Sequence, residues 1–441
     1  MAGWKTVTPE SFVVALQERP VGGFKIQRAD NDAGILYHQR RTLADGDILF
    51  LVNTSIDAAT SGTILSAAKS IQKWDLASGT ISSYSWTEAD QGIKTEFALA
   101  PCGSLLLFLS NKPGEKAAPI PAANPTVTAA PSMRIGRADA NVLILDFMDV
   151  TAGGETKEGL LFKRAAEFVF KKNGIEHDPW DHAVQFRDEL IRKTFPPESG
   201  FDATYRFTIE GQVPATLDIV IERPDIYTIA CNGKPISWDG KSWWLDRAFG
   251  KLDIRAAAVA GENKVTIKAS PFTMFHELEP AYVIGDFALK AADKGFTIVQ
   301  PQELKIGPWK EQGLPLYGSR VTYASEFVLS PSPGRYVISL PEWYGAAAKV
   351  TVNGKEAGYI YCKPAECDVT KLLAAGKNDI EVNVFGTPKN TLGPHHGNPP
   401  LGIASPGSFD KIGDPGPPPG SEYSTIGYGL FAPFELRHAA S

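Results

Sequence analysis

Cysteine is scarce in this 441-residue chain, at four residues. That excludes a disulfide framework as the source of its stability. Cys102 and Cys231 sit in apolar, strand-like stretches and read as buried thiols. Cys362 and Cys367 flank a proline, and either close a small disulfide loop or stay free. No Cys-x-x-Cys pair is present, which excludes a zinc ribbon and a dithiol redox site, and no metal site is expected. Long apolar runs are also missing. None approaches the ~20 residues of a membrane-crossing helix, so no membrane partner is expected. Nor does charge of one sign dominate: 44 Lys and Arg stand against 50 Asp and Glu, a net charge of −6. That balance leaves no electrostatic footprint for nucleic acid or an anionic surface. The phosphate-binding loop, the dinucleotide glycine fingerprint, HExxH and GxSxG are all absent. Met1-Ala2-Gly3-Trp4-Lys5 has no apolar stretch after it of signal-peptide type. The compartment expected is the cytoplasm, or that of a truncated secreted protein.

What is abundant is turn-forming and aromatic: 41 Gly, 33 Pro, and 9 Trp, 13 Tyr and 23 Phe. Short strands joined by tight turns account for such a composition better than helices do. A helix is expected from Thr8-Pro9-Glu10, with Phe12, Val13 and Leu16 on one face as far as Pro20. From Gly34 the pattern turns to strands: Gly34–Arg41 and Asp47–Asn53 around Asp45-Gly46-Asp47, then Gly62–Ser66, Thr80–Trp86, Lys94–Leu99 and Ser104–Leu109. Ile48–Val52 is apolar at every position and predicts a strand covered on both faces. This first region, residues 1–110, reads as a helix plus a β-sandwich.

Residues 111–132 are rich in Pro and Ala, lack apolar periodicity, and read as a linker. Beyond it, Val142–Phe147, Ala203–Ile209, Thr216–Glu222, Ile226–Cys231 and Lys264–Ala269 read as strands, and Trp180–Arg192 as a helix. A further set starts near Tyr317: Arg320–Leu329, Gly334–Ser339, Ala348–Val352, Asp379–Phe385 and Tyr428–Arg437. The Pro- and Gly-rich Gly407–Gly420 reads as a surface loop or lid. The expectation is an all-β chain of three sandwich modules, the last two spanning 133–305 and 306–441.

Those last two regions repeat an order of turns. Asn232-Gly233-Lys234 is followed by Asp253-Ile254 and by Gly261-Glu262-Asn263 before a strand. Asn353-Gly354-Lys355 is followed by Asp368-Val369 and by Gly376-Lys377-Asn378 before a strand. Asn-Gly favours two-residue hairpins because both central positions take positive φ. The matched order predicts two sandwiches related by internal duplication.

This order of strands and turns resembles the sugar-binding, galactose-binding-like jelly-roll domain of large glycoside hydrolases. Leu36–Asn53 with Lys73-Trp74-Asp75, Trp180 to Phe186, Trp243-Trp244-Leu245-Asp246, Leu278–Phe287 and Leu392-Gly393-Pro394-His395-His396 extend the likeness. Together they resemble the region C-terminal to the barrel in α-L-rhamnosidase-like glycoside hydrolases (family 106 and relatives). The resemblance implies a carbohydrate-binding and structural accessory region, with an oligosaccharide or glycoside as ligand. The family's catalytic barrel belongs upstream, where about thirty residues precede the first sandwich, so its carboxylates map onto no residue here. The partner expected is that missing catalytic domain, or a second copy of the chain. No cofactor is expected, although the resemblance allows a structural calcium ion held by loop carbonyls and Asp residues.

Candidate site residues follow from sugar chemistry. Trp243 and Trp244 offer rings for the C–H faces of sugars, and Asp246 a carboxylate for their hydroxyls. Strand alternation lets at most one of the two Trp meet a given ligand. His395 and His396 offer nitrogens to a sugar or to a metal, though no third metal ligand stands at the usual spacing, or else brace the Pro-rich loop. The alternative reading is a glycoside hydrolase in its own right, with two carboxylates about 5–10 Å apart at a domain junction. Glu277, Glu279 and Asp286, close to Phe272, Phe275 and Tyr282, are the candidates for it, as acids whose apolar surroundings raise the pKa. Their competing role is to hold a loop by hydrogen bonds and ion pairs.

Overall fold

The computed structural model describes residues 24–117 (apart from 77 and 91), 126–176, 187–397, 406–408 and 416–440, with Thr8, Pro9 and Ser11. Its regular structure is nearly all strand, arranged as three mainly antiparallel sandwiches.

In the first module, Leu36–Thr42, Gly46–Asn53, Ser104–Ser110, Ser70–Trp74 and Ile81–Ser83 form one sheet in that order. Phe24–Arg28, Thr60–Ser66, Gly92–Leu99 and Thr87–Ala89 form the facing sheet. Period-two alternation sends Leu49, Leu51, Leu107 and Leu109 inward against Ile64, Ile93 and Phe97. The expectation that Ile48–Val52 is covered on both faces is corrected. Leu49 and Leu51 are buried, while Ile48, Phe50 and Val52 point outward and stay half-exposed. Of the expected N-terminal helix only Thr8, Pro9 and Ser11 are described, where the Ser11 N–H reaches the Thr8 carbonyl at 3.0 Å.

The second module packs two sheets. Asn141–Leu145, Ala281–Gly285, Leu217–Glu222, Asp246–Asp253 and Trp243–Trp244 form one. Glu155–Leu161, Phe147–Ala152, Phe201–Ile209, Gly261–Ala269, Thr228–Cys231 and Lys234–Ile236 run in order through the other. Phe296–Val299 joins this second sheet in parallel, Thr208 opposite Thr297. A helix not anticipated, Phe162–Lys172, lies on the module with Ala165, Ala166, Val169 and Phe170 buried. That is a helical stripe, and Lys171 and Lys172 in its last turn suit the negative end of the helix dipole. Arg187–Arg192 is the described part of the helix expected over Trp180–Arg192; the rest lies outside the described residues.

The third module is built from two distant stretches. Thr126–Ala129, Glu435–Ala440, Gly334–Ser339 and Glu366–Asp368 form one sheet. Arg134–Arg137, Arg320–Leu329, Gly376–Phe385, Ala347–Val352 and Lys355–Ile360 form the other. Two strands that precede the second module therefore complete the third, and the second module is inserted between them. This corrects both the linker reading of 111–132, where Thr126–Ala129 is a strand, and the boundary at 133. All four cysteines are free thiols, Cys102 and Cys362 exposed, Cys231 and Cys367 buried. The reading of Cys102 as a buried thiol is thereby corrected: it turns outward beside Gly103 at a φ of 56°.

The second and third modules share strand order in both sheets, and they share a joint. Asn232 and Gly233 have φ of 50° and 76°, Asn353 and Gly354 of 52° and 75°, so both hairpins need the left-handed region that Gly enters freely. The Asn232 side chain donates to Asn263 Oδ1 (2.9 Å) and accepts from the Lys264 N–H (2.9 Å). Asn353 donates to Asn378 Oδ1 (3.0 Å) and accepts from the Asp379 N–H (3.0 Å). Asn263 then donates to the Val259 and Gly261 carbonyls, as Asn378 does to those of Ala374 and Gly376. Both acceptor Asn residues are fully buried, with their amide groups satisfied.

Candidate functional site

A cleft of about 810 Å³ opens where the second module meets the C-terminal segment of the chain. Its floor is the outward face of the larger sheet. Thr204 and Arg206 point out while Ala203, Tyr205 and Phe207 point into the core. The chain crosses from one sheet to the other at Asp146, between strands Asn141–Leu145 and Phe147–Ala152, which turns that carboxylate into the cleft wall. The far wall is the loop around Asp293 together with Gly416, Pro417 and Tyr423. Backbone bonds clamp this segment down: Gly295 N–H to the Pro418 carbonyl (2.7 Å), Gly416 N–H to Gly159 (2.8 Å) and Gly420 N–H to Ala292 (2.9 Å). Gly420 has to be glycine, because a Cβ there would sit 2.2 Å from the Gly295 oxygen. Phe296 and Tyr423 meet edge to face at 5.0 Å and supply an aromatic edge.

The charges are organised around two fixed groups. Arg206 donates from Nε to Asp149 (2.7 Å) and from Nη1 to Glu262 (3.1 Å). The Asp149 bond, more than any other contact, raises the Arg206 pKa. Asp149 also accepts the Gly159 N–H at 3.0 Å. In the wall, Asp146 and His396 form a buried pair at 2.6 Å, both almost sealed from solvent. Phe147 and Tyr423 pack edge-on to the His396 ring, at 5.5 and 4.9 Å. The other ring nitrogen, Nδ1, is buried with no hydrogen-bond partner among the described residues. His395 lies behind it, its Nε2 2.8 Å from the Asn390 carbonyl, and burial pushes its pKa down to about 4. The Tyr423 hydroxyl is held protonated, first by burial and then by the charge of Asp146.

Glu158 and Asp293 complete the lining, giving five carboxylates against Arg206 and Lys294. Such a site can accept hydrogen bonds from hydroxyls and pack a C–H face on an aromatic edge. Among the described residues no group of three His, Cys, Asp or Glu is placed to hold a metal ion.

The residues singled out in the sequence fall elsewhere. The Glu277 carbonyl accepts the Tyr227 hydroxyl (2.9 Å) and the Glu279 carbonyl that of Tyr205 (2.7 Å), so this segment braces buried tyrosines through its backbone. Neighbouring His276 is buried, its Nδ1 taking the Thr273 N–H (2.9 Å) and its Nε2 donating to Ile226 (3.0 Å). Asp286 is paired with Arg137 and so ties the second module to a strand of the third. Glu277, Glu279 and Asp286 are absent from the cleft lining. Trp243 is 51% exposed, whereas Trp244 packs on Tyr282 at 5.2 Å. Asp246 is exposed and accepts the Ala248 N–H at 2.8 Å. His395 and His396 are buried and bond to protein groups, in keeping with the bracing role offered for them and not with the sugar-facing one. Of the lid expected over Gly407–Gly420, Gly416–Gly420 is docked on the second module; residues 409–415 lie outside the described residues.

The residues the sequence reading missed are Asp146, Asp149, Glu158, Arg206, Glu262 and Asp293. One signal was present: Asp146 and Asp149 interrupt an otherwise apolar run from Val142 to Val150.

No family model matches the chain, and no curated protein matches it. Among solved structures it is similar to a rhamnosidase from Novosphingobium sp. PP1Y, with 13% identity and a TM-score of 0.44, over 98% of this chain and 26% of that one. It is similar to an α-L-rhamnosidase from Streptomyces avermitilis, with 11% identity and a TM-score of 0.23, over 83% of this chain and 38% of that one. A β-D-mannosidase from Dictyoglomus thermophilum matches with 11% identity and a TM-score of 0.24, over 56% of this chain and 31% of that one. The chain thus spans about a quarter to two-fifths of the length of these glycoside hydrolase chains. No residue role passes from them to this chain.

Proposed function

We propose that this chain is a carbohydrate-binding and structural region of a rhamnosidase-like glycoside hydrolase, and that its sugar site is the cleft between the second and third modules. The cleft itself carries the reading: a junctional cavity of about 810 Å³ combining carboxylate acceptors with the Phe296–Tyr423 edge. Its role is binding without covalent chemistry. Asp149 and Glu262, two of its acids, are already engaged as ion-pair partners of Arg206. Internal duplication of the second and third modules belongs to the same reading, supported by their shared strand order and paired Asn joints. Half-exposed Trp243 adds a separate stacking surface on the same module.

The test is calorimetric titration of the chain with an oligosaccharide panel, beside an assay on aryl glycosides. Binding that weakens at least about fivefold in Thr297→Trp, which narrows the cleft, with no hydrolysis, supports the reading. Hydrolysis abolished by Glu279→Gln would establish the enzyme reading in its place. Binding unchanged by Thr297→Trp would move the sugar site out of the cleft.

A further inference from the structure

In the first sandwich, the sheet face turned away from the core is itself apolar. One cross-strand row runs through Gln39, Phe50, Leu106, Trp74 and Ile81, and so crosses all five strands of the sheet. Phe50, Leu106 and Trp74 are half-exposed, and Ile81 is 60% exposed. Ile48 and Val52 flank Phe50 along its strand, and Tyr37, opposite Val52, is 61% exposed. None of these side chains is part of the module's core, which takes the alternate residues Leu49, Leu51 and Leu107. An antiparallel sheet that turns one face to water normally carries polar residues there. A contiguous apolar row in that place marks a face built to be covered. We propose that it seats the chain's own N-terminal segment, residues 1–23.

Where the segment joins the sandwich is the first reason. Phe24 lies against Leu36–Thr42, the edge strand of the apolar sheet: the Arg40 guanidinium stands 4.7 Å over its ring, and the His38 ring is 6.3 Å away. The segment therefore starts at the rim of the face. From Phe24 back to Pro20 the chain can reach up to ~13 Å, enough to pass the edge strand, whose neighbour is ~5 Å away. Chemistry is the second reason. The Thr8 N–H donates to Ser11 Oγ (3.0 Å) and the Ser11 N–H to Thr8 Oγ1 (3.3 Å), the reciprocal bonds of a helix start. The sequence after it puts Phe12, Val13 and Leu16 on one helical face. Size is the third. Five strands span ~19 Å, and the helix expected from Pro9 to Arg19 is ~17 Å long. A second copy of the chain is a poor fit by comparison. Stable association buries ~800 Å² on each partner, whereas a face of five strands by three side-chain rows offers ~300 Å².

The experiment places the photo-crosslinker p-benzoylphenylalanine at position 12 of the full chain, irradiates it, and maps the adducts by peptide mass. The expected product is monomer-sized and joins residue 12 to Gly46–Asn53, Ser70–Trp74 or Ser104–Ser110. An adduct only to other parts of the chain, an adduct to a second copy, or no adduct overturns the proposal. A second measurement removes residues 1–19. That should raise the fluorescence of anilinonaphthalene sulfonate, which binds exposed apolar surface, at least about twofold. In the shortened chain, Phe50→Thr with Leu106→Thr should return the signal to that of the full chain; threonine keeps the preference for strand. A signal unchanged by the truncation, or a rise that survives the double substitution, also overturns the proposal. Because the crosslink leaves the apolar face unaltered, it decides the matter even where the double variant fails to fold.

Discussion

At the scale of single residues, the pair between Asp146 and His396 ties the cleft wall to the C-terminal part of the chain. It joins residues 250 apart in sequence, both buried, at 2.6 Å. Removing one partner of such a pair leaves the other buried and uncompensated, at about 3 kcal/mol. Asp146→Ala is therefore expected to lose that much stability, read as a fall in the urea midpoint. His396→Ala should do the same, and the double variant should lose clearly less than the sum. Additive losses would show that the two do not act together. His395 makes a pH prediction. Its pKa falls from an ordinary 6.5 to about 4 because the ring is buried. Between those values the unfolded chain takes up a proton that the native chain refuses, so stability rises with pH across the window. It is complete above about pH 6.5 and falls progressively towards pH 4, by up to ~3 kcal/mol. Urea midpoints measured from pH 7 to 4 should show that slope, and His395→Gln should flatten it.

At the scale of elements, the two modules use one device with different decoration. Asn263→Ala or Asn378→Ala would orphan buried carbonyls and N–H groups at the joint between hairpin and strand. Each is expected to cost about 2–4 kcal/mol, read as a fall in the denaturant midpoint, whereas Lys355→Ala in the neighbouring exposed turn should change little. The decoration differs in sign. Where the second module places Asp149, Arg206 and Glu262, the matching positions of the third hold Arg134, Glu326 and Lys377. The outward face of one sheet is thus acidic and cleft-forming, while that of the other presents an open groove along Arg134 and Arg137.

What was legible in the sequence follows from range. Asn-Gly turns and alternating runs such as Arg320–Leu329 act within a few residues, and they read correctly. The stacked helix Phe162–Lys172 left a readable stripe at Ala165, Ala166, Val169 and Phe170, obscured by its place among strands. Thr126–Ala129 left none: all four residues are exposed, so burial imprints no alternation on them. Asp146 could be seen to break an apolar run, but nothing local points across the chain to His396. Cleft residues are assembled from strand, loop and C-terminal segment, and only the fold brings them together.

At the scale of the whole molecule, the insertion of the second module into the third sets the order of assembly. Glu435–Ala440 lies between Thr126–Ala129 and Gly334–Ser339, in the interior of its sheet. A chain ending at Phe434 is expected to lose protection from hydrogen exchange throughout the third module while the first sandwich keeps its own. Retained protection in Gly334–Ser339 would show that the module closes without its last strand.

The same neighbouring strands determine how the protein answers a mechanical load. Thr126 faces His438 and Ala129 faces Glu435, so the incoming end of one strand lies beside the outgoing end of the other. Tension applied through the two flanks would open that ladder like a zip, one rung at a time, instead of loading all rungs together. Held by its ends, the third module should yield at low force, and the second, hung inside it, would feel the pull only afterwards.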